Sequence, residues 1–279
     1  MAPTGALNDE AMRALIDLAK KITEEHSPLP YSVVSSLKEQ RISNAPVIKP
    51  LLIFVLAGVK QLGKDGNIVC PSGTFLFLSS APDIDMRNVP DGEYCALLVE
   101  FDHSDFDQFR SWSSGGRPVH FQGAIDGILE KALQQFIEFP AYAPPALWSA
   151  RKQELLRLLY LLGHEQVGAI VERPGVSHRL HDMVIADVQA SWTMGRFADR
   201  MAISEPTLRR KLKAEGIGIK TIVSRAKLGF GLHLVQTTLE PIGRIAERCG
   251  YASQSRFTDR FKALFGVTPT DLRKTRFQD

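Results

Sequence analysis

Residues 196–213, RFADRMAISEPTLRRKLK, return with changes as residues 244–262, RIAERCGYASQSRFTDRFK. In both copies an apolar residue and Ala open one short helix. A Ser then opens a second helix, which carries basic residues and large apolar residues four positions apart. Two short helices joined by a tight turn predict a helix-turn-helix, so the repeat predicts two of them.

Charge is distributed unevenly along the 279 residues. Residues 1–175 hold 16 Lys and Arg against 21 Asp and Glu, a net charge of −5. Residues 176–279 hold 18 against 10, a net charge of +8. Because a basic surface attracts the phosphate backbone of nucleic acid, we expect the C-terminal part to bind double-stranded DNA.

Composition and cysteine spacing indicate an ordinary cytoplasmic protein. Hydrophobic residues make up 44% of the chain and charged residues 23%, which is typical of globular domains. The longest apolar stretch, residues 51–59, is too short to span a bilayer, and no secretory signal is visible. Three widely spaced cysteines favour reduced thiols over a disulfide framework or a zinc site. We expect no catalytic residues, no cofactor, no metal and no membrane contact.

The N-terminal half is rich in short predicted strands. A first helix is predicted over residues 7–25. Runs rich in β-favouring residues follow at 31–37, 51–56, 61–62, 68–70, 74–78 and 94–101, and Pro and Gly turns separate them. This pattern predicts a small β-barrel or a sandwich, of which we favour a cupin-like barrel with flanking helices.

Small barrels often enclose a ligand at their mouth. Five aromatic residues are predicted to point inward and are candidates for lining an effector pocket, although plain core packing is the favoured explanation for any one of them: Tyr31, Phe54, Phe75, Phe77 and Phe101. Four basic residues on the strands are candidates for an anionic ligand, the alternative being solvated surface positions: Arg41, Lys49, Lys60 and Arg87.

Two leucine-rich amphipathic helices are predicted between the strands and the repeat, over residues 125–136 and 147–162. They could form a dimer seam or pack on the barrel, and a homodimer is our expectation. The predicted domains are residues 1–165, a linker at 166–177, and 178–279.

The C-terminal domain is predicted to be entirely helical. A supporting helix at 178–190 precedes the first helix-turn-helix, at about 193–214, with Thr193 and Ser204 as N-caps. A connecting helix over residues 219–236 leads to the second helix-turn-helix, at about 241–265. The fold class is therefore α+β, with two helix-turn-helix units joined by a connecting helix.

The second copy and its flanks carry a family resemblance. Residues 245–274, IAERCGYASQSRFTDRFKALFGVTPTDLRK, closely resemble the signature of the AraC/XylS family of bacterial transcription regulators. The matching residues are Ile245, Ala246, Gly250, Tyr251, Ser253, Phe257, Phe261, Lys262, Phe265, Gly266, Thr268, Pro269 and Arg273. The first copy fits the same pattern, and the match extends over roughly residues 178–276. Residues 47–80 resemble, more loosely, the family's N-terminal effector and dimerisation domain.

The resemblance implies that each recognition helix enters a major-groove segment, with the connecting helix holding the two about 34 Å apart. The residues that it places against base edges are Pro206, Arg209, Arg210, Gln254, Ser255, Arg256 and Asp259. The residues better suited to phosphates are Ser204, Lys211, Lys213, Lys220, Ser253, Arg260 and Lys262. Asp259 departs from the family, where a basic residue or another donor is commoner. We expect it to pair with Arg256 or Lys262, the alternative being contact with a cytosine.

The favoured interpretation is a DNA-binding transcription regulator, an activator that contacts RNA polymerase and responds to a small molecule or partner at its N-terminal domain. One alternative is a regulator whose N-terminal domain only dimerises or binds a protein. An architectural DNA binder with no ligand is another. A cupin-type enzyme fused to a DNA-binding domain is remote, because residues 31–101 contain no histidine to ligate a metal.

Overall fold

The computed structural model describes residues 9–79, 81–109, 118–170 and 175–278. The chain divides into two compact units, one formed by Met1–Val171 with Thr275–Asp279 and the other by Glu172–Lys274. The first two residues of the predicted helix 7–25 and residues 171–174 of the predicted linker lie outside the described residues. Among the described residues, no helix is long and apolar enough to cross a membrane.

The first unit contains two antiparallel sheets. The strands are β1 (Ser32–Ser36), β2 (Gln40–Val47), β3 (Leu51–Ala57), β4 (Val59–Leu62), β5 (Ile68–Pro71), β6 (Thr74–Leu78), β7 (Ala81–Val89), β8 (Tyr94–Glu100) and β9 (His120–Ala124). A five-stranded sheet has the order β1-β8-β3-β6-β9, and a four-stranded sheet has the order β2-β7-β4-β5.

The five-stranded sheet is buried on both faces. Leu52 and Phe54 of β3 pack toward three helices, α1 (Asp9–Glu25), α2 (Gly127–Glu138) and α3 (Trp148–Leu161). Ile53 and Val55, which point the other way, pack in a second core with residues of the four-stranded sheet. Because both faces are covered, strands of this sheet are continuous apolar runs, and this made them visible in the sequence.

The expected closed barrel is wrong, whereas the α+β class is correct. No ladder among the described strands joins an edge of one sheet to an edge of the other, so the sheets face each other as a sandwich. The chain passes between the sheets at Gly58, between β3 and β4. Its φ of +71° suits glycine, and a Cβ there would lie 2.6 Å from the Val89 carbonyl oxygen.

Three strands were not predicted, namely β2, β7 and β9. The sequence of β2, QRISNAPV, contains Pro46 and Asn44, which has a φ of 50°, and its pairing with β7 shifts register around Ala45. Half of the residues of β2 are buried, and their alternation is interrupted at Ser43 and Asn44. A bulged strand of this kind lacks the β-favouring run on which sequence prediction depends.

The second unit is helical. Its helices are α4 (Val176–Ala186), α5 (Met194–Arg200), α6 (Glu205–Ala214), α7 (Ile219–Thr237), α8 (Ile242–Arg248), α9 (Gln254–Phe265) and α10 (Pro269–Lys274). The predicted N-caps are confirmed, because the hydroxyls of Thr193 and Ser204 accept backbone N–H bonds from Arg196 and Thr207, at 3.3 and 3.4 Å.

The last residues belong to the first unit. The Thr275 carbonyl oxygen accepts hydrogen bonds from the backbone N–H of Leu37 at 2.8 Å and of Lys38 at 3.0 Å. Its hydroxyl accepts a third, from the Gln40 amide at 2.8 Å. The chain therefore returns to the sheets of the first unit directly after α10.

Candidate nucleic-acid interface

The first helix-turn-helix consists of α5 and α6. Leu208 and Leu212 turn one face of α6 into a core shared with Phe197 of α5 and with residues of α4 and α7. The opposite face is exposed and carries the predicted base-facing residues Pro206, Arg209 and Arg210. The amphipathic spacing of α6 thus fixes which side chains face solvent.

Arg209 has a partner in this structure. Its guanidinium lies 3.2 Å from the Glu205 carboxylate one helical turn earlier, and both side chains are exposed. An exposed pair of this kind is weak, so the guanidinium can leave Glu205 for another acceptor at little cost.

The second helix-turn-helix consists of α8 and α9. Phe257, Phe261 and Phe265 are fully buried on one side of α9. The other side exposes Gln254, Ser255, Arg256 and Asp259, the predicted base-facing set. The Ser253 hydroxyl caps α9 by accepting from the Arg256 N–H at 3.4 Å.

The expected ion pair of Asp259 is not formed within the described part of the chain, with either Arg256 or Lys262. The Asp259 side chain is exposed. Its carboxylate is therefore available to an external donor, and the cytosine N4 amine is one such donor.

The residues predicted to touch phosphates surround these two faces. Lys211, Lys213 and Lys220 are exposed on α6 and at the start of α7, and Arg260 and Lys262 are exposed on α9. Ser204 and Ser253 stand at the N-termini of the two recognition helices, where backbone N–H groups favour anions.

The turns of the two helix-turn-helix units differ in one residue type. Ala202 has a φ of 52°, and the corresponding turn of the second unit has Gly250 with a φ of 72°. A Cβ on Gly250 would lie 2.7 Å from the Lys227 ammonium and 3.2 Å from the Val188 carbonyl oxygen. The second turn therefore requires glycine, both for its backbone conformation and for its close contacts.

The connecting helix α7 is packed closely against the second helix-turn-helix. A Cβ at Gly231 would lie 2.8 Å from the Phe257 ring, so glycine at this position permits the close helix packing. Arg273 of α10 donates to the backbone oxygens of Val235 at 3.0 Å and of Glu240 at 2.9 Å. These contacts hold α9 and α10 in place on α7.

Sequence reasoning missed two contacts that support the first helix-turn-helix. The Glu215 carboxylate, at the end of α6, accepts from the backbone N–H groups of Val176 at 2.6 Å and Ser177 at 2.8 Å, at the start of α4. Burial opposes ionisation of Glu215, but the hydrogen bonds from Ser177 and Val176 outweigh it and lower the pKa of this carboxyl. An acidic residue at a helix C-terminus is electrostatically unfavourable, and that was the available signal.

The second missed contact is at Trp192. Its ring stacks on Phe197 with centroids 4.7 Å apart, and the Arg196 guanidinium lies 4.7 Å from the same ring. Trp192 thus fixes the entry to α5 by a stacked aromatic and cation–π contact.

The aromatic residues of the predicted effector pocket lie in the core between the five-stranded sheet and the helices. Tyr31, Phe54, Phe75, Phe77 and Phe101 are all buried there. The rings of Phe77 and Phe101 stack 5.6 Å apart, and the Tyr31 hydroxyl donates to the Ile137 carbonyl oxygen at 3.0 Å. These are packing contacts, and a pocket among these residues stays a prediction.

The predicted leucine-rich faces are partly covered. Leu155 and Leu159 of α3 are buried in the same core, whereas Leu147 and Leu161 are 48% and 72% exposed. The helices pack on the sheet with one face, and a dimer seam on the exposed remainder stays a prediction.

Comparison with known proteins agrees with this geometry. A family model described as a helix-turn-helix domain matches residues 197–275. The HTH-type transcriptional regulator GadX of Escherichia coli is 28% identical over 109 residues, which are 39% of this chain and 40% of GadX. The porin thermoregulatory protein EnvY of Escherichia coli is 30% identical over 105 residues, 37% of this chain and 42% of EnvY. The chain thus spans about two fifths of the length of these curated relatives.

One solved structure resembles most of this chain in its fold. ToxT from Vibrio cholerae, solved with a bound unsaturated fatty acid, superposes with a TM-score of 0.61 at 12% identity. The match covers 88% of this chain and 95% of ToxT. At this identity the likeness extends to the fold alone: a β-sheet domain followed by an all-helical helix-turn-helix domain.

Proposed function

We propose that this chain is a transcription regulator of the AraC/XylS type, without enzymatic activity, and that it reads promoter DNA sequence-specifically through α6 and α9; the helix-turn-helix family match over residues 197–275 and the similarity to GadX support this. The observation that carries this proposal is the pair of recognition helices. Each is fixed by a buried apolar face and presents an exposed face of arginine and polar side chains.

The chemistry of the exposed faces suits base recognition. Arginine donates two parallel hydrogen bonds to guanine O6 and N7, and glutamine pairs in the same manner with adenine N6 and N7. Arg209 and Arg210 supply such donors on α6, and Gln254 and Arg256 supply them on α9. Lysines at the ends of the helices supply phosphate contacts, which orient the protein without selecting a sequence.

We further propose that the regulator is an activator, that it acts as a homodimer and that it contacts RNA polymerase. Leu147, directly before α3, and Leu161, at its end, are exposed and support an apolar dimer contact. The first unit is the proposed site of control by a small molecule, which the fatty acid bound by ToxT supports. The second candidate is a first unit that only dimerises or binds a protein.

The test uses the full chain and fluorescent duplexes selected from a random library. We expect the selected duplexes to outcompete random DNA, and affinity to fall steeply with salt as phosphate contacts release counterions. Equal affinity for selected and random duplexes would identify an architectural DNA binder. Binding that does not respond to salt would contradict DNA recognition by this basic unit.

A further inference from the structure

A row of polar side chains crosses the interior of the first unit, in the layer between the two sheets. Gln40, Asn88, Lys60 and Cys70 are direct cross-strand neighbours on β2, β7, β4 and β5. All four side chains are buried. The Lys60 ammonium donates to the Asn88 amide oxygen at 2.9 Å, and the Asn88 amide donates to the Gln40 amide oxygen at 2.9 Å.

The five-stranded sheet places two hydroxyls in the same buried layer. Tyr94 of β8 and Ser36 of β1 are direct neighbours, and both are buried. The Lys60 ammonium lies 5.8 Å from the centroid of the Tyr94 ring. Neither hydroxyl has a hydrogen-bond partner among the described residues, and buried hydroxyls are rarely left in that state.

Lys60 differs from the other three basic residues that the sequence singled out in the first unit. Arg41 and Arg87 both pair with Glu39, and Lys49 pairs with Asp102. Lys60 is 4% exposed, and no carboxylate of the described residues lies within ion-pair distance of it. Burial lowers the pKa of its ammonium to about 8, so the group is still protonated at neutral pH.

The layer therefore has more hydrogen-bond donors than acceptors. An ammonium has three N–H donors, and one of those of Lys60 is used by Asn88. With the hydroxyls of Tyr94 and Ser36, the layer holds one buried positive charge and several donors without acceptors. A group with two acceptor oxygens and one negative charge would satisfy both the charge and the donors.

We propose that Lys60, Tyr94 and Ser36 bind the carboxylate of a small organic acid whose apolar part lies among the aliphatic side chains of this layer. Ile53, Val55 and Leu62 are among those side chains. This inference rests on the proposed control of the first unit by a small molecule and names the chemical class of that molecule. The bond formed is a non-covalent, charge-assisted hydrogen bond.

The layer also offers a route by which the bound acid acts on the rest of the protein. The Lys60 ammonium that holds the carboxylate through its remaining N–H donors also donates to Asn88. Asn88 holds Gln40, and Gln40 donates to the Thr275 hydroxyl at 2.8 Å. The acid thus acts on the segment that directly follows the last helix of the DNA-binding unit.

The experiment measures thermal unfolding of the full chain with sodium octanoate at constant ionic strength, with 1-octanol as the uncharged probe of the same length. We expect octanoate to raise the melting temperature of the wild type in a concentration-dependent manner, since a ligand that binds the folded state stabilises it. We expect 1-octanol to give a much smaller shift. Octanoate affinity should fall as pH rises through about 8, where Lys60 loses its charge.

Three variants locate the site. Lys60→Met should weaken octanoate binding about tenfold or more, because a hydrogen bond to a charged group is lost. Tyr94→Phe removes one hydroxyl and keeps the ring, so it should weaken binding less and tests the site if Lys60→Met does not fold. Lys49→Met, which removes an ion-paired lysine of the same unit, is the matched control and should leave binding unchanged.

The outcomes separate this inference from the proposed function. If octanoate fails to stabilise the wild type while selected DNA is bound specifically, the carboxylate site is wrong and the regulator stands. If octanoate stabilises the wild type and both site variants equally, it binds elsewhere and the site is again wrong. Octanoate binding that depends on Lys60 in a chain without DNA specificity supports the site and contradicts the regulator.

Discussion

The turn of the first helix-turn-helix holds an alanine where the second holds a glycine, and this difference predicts opposite effects of two matched substitutions. Ala202 has a φ of 52°, a conformation that costs an L-residue about 1–2 kcal/mol relative to glycine. Glycine increases the conformational entropy of the unfolded chain, which offsets about 0.4–1 kcal/mol of that gain. Ala202 is exposed, so Ala202→Gly removes no buried contact. The free energy of unfolding of the second unit should therefore rise by about 0.5–1 kcal/mol.

Gly250→Ala should have the opposite sign and a larger magnitude. The φ of Gly250 is 72°, which lies in the left-handed region. This conformation costs the new alanine about 1–2 kcal/mol. Its Cβ would also lie 3.2 Å from the Val188 carbonyl oxygen and 2.7 Å from the Lys227 ammonium. The lysine can move, but the backbone oxygen must shift, so the total loss should reach about 2 kcal/mol.

Urea unfolding followed by the fluorescence of Trp192 measures both effects. The chain has three tryptophans, and replacing Trp112 and Trp148 with Phe leaves Trp192 to report on the second unit alone. This precaution is needed because a chain of two units need not unfold in one transition. A loss of stability in Ala202→Gly, or no loss in Gly250→Ala, would refute the conformational argument.

Two further predictions concern the recognition helices. Arg209→Ala or Arg256→Ala should cost about 1–3 kcal/mol on the preferred site and relax the preference at one base pair, whereas Lys220→Ala should weaken all sequences about equally. Binding to a library of single-base variants measures this, and uniform losses in all three would show that the base-facing assignments are wrong. The hydrogen bonds of Glu215 lower its folded pKa, so its contribution is fully present above the ordinary carboxyl pKa of about 4.3 and is lost as pH falls below it. In Glu215→Gln, the free energy of unfolding of the second unit should therefore fall less steeply as the pH is lowered. An unchanged pH dependence would contradict a stabilising contact between Glu215 and the start of α4.

Much of the second unit could be predicted from the sequence because its signals are local. Ser204 and Ser253 stand directly before α6 and α9, and the apolar residues of each helix follow the helical period. The left-handed conformation of Ala202 was not predictable, since alanine is not expected in that conformation.

The first unit was harder to predict because its organisation depends on pairing between distant residues. β2 pairs with β7, about forty residues later, and neither sequence is a continuous β-favouring run. The polar row was hidden for a related reason, because Gln40 and Asn88 are residue types normally found on the solvent side of a strand. Lys60 was identified as a basic candidate, but only the structure separates it from residues that already have acidic partners.

Because Thr275 belongs to the first unit, the second unit is an insertion between two segments of the first. A single proteolytic cut before the second unit would leave the C-terminal fragment attached to the first unit only through non-covalent contacts such as the hydrogen bonds of Thr275. While Thr275 stays bound to the first unit, it lowers the conformational entropy of the unfolded second unit, as a cross-link does. The three hydrogen bonds of Thr275 are weaker than a disulfide, so this effect is smaller. Removal of residues 275–279 should therefore increase the entropy gained on unfolding of the second unit without removing any contact inside it.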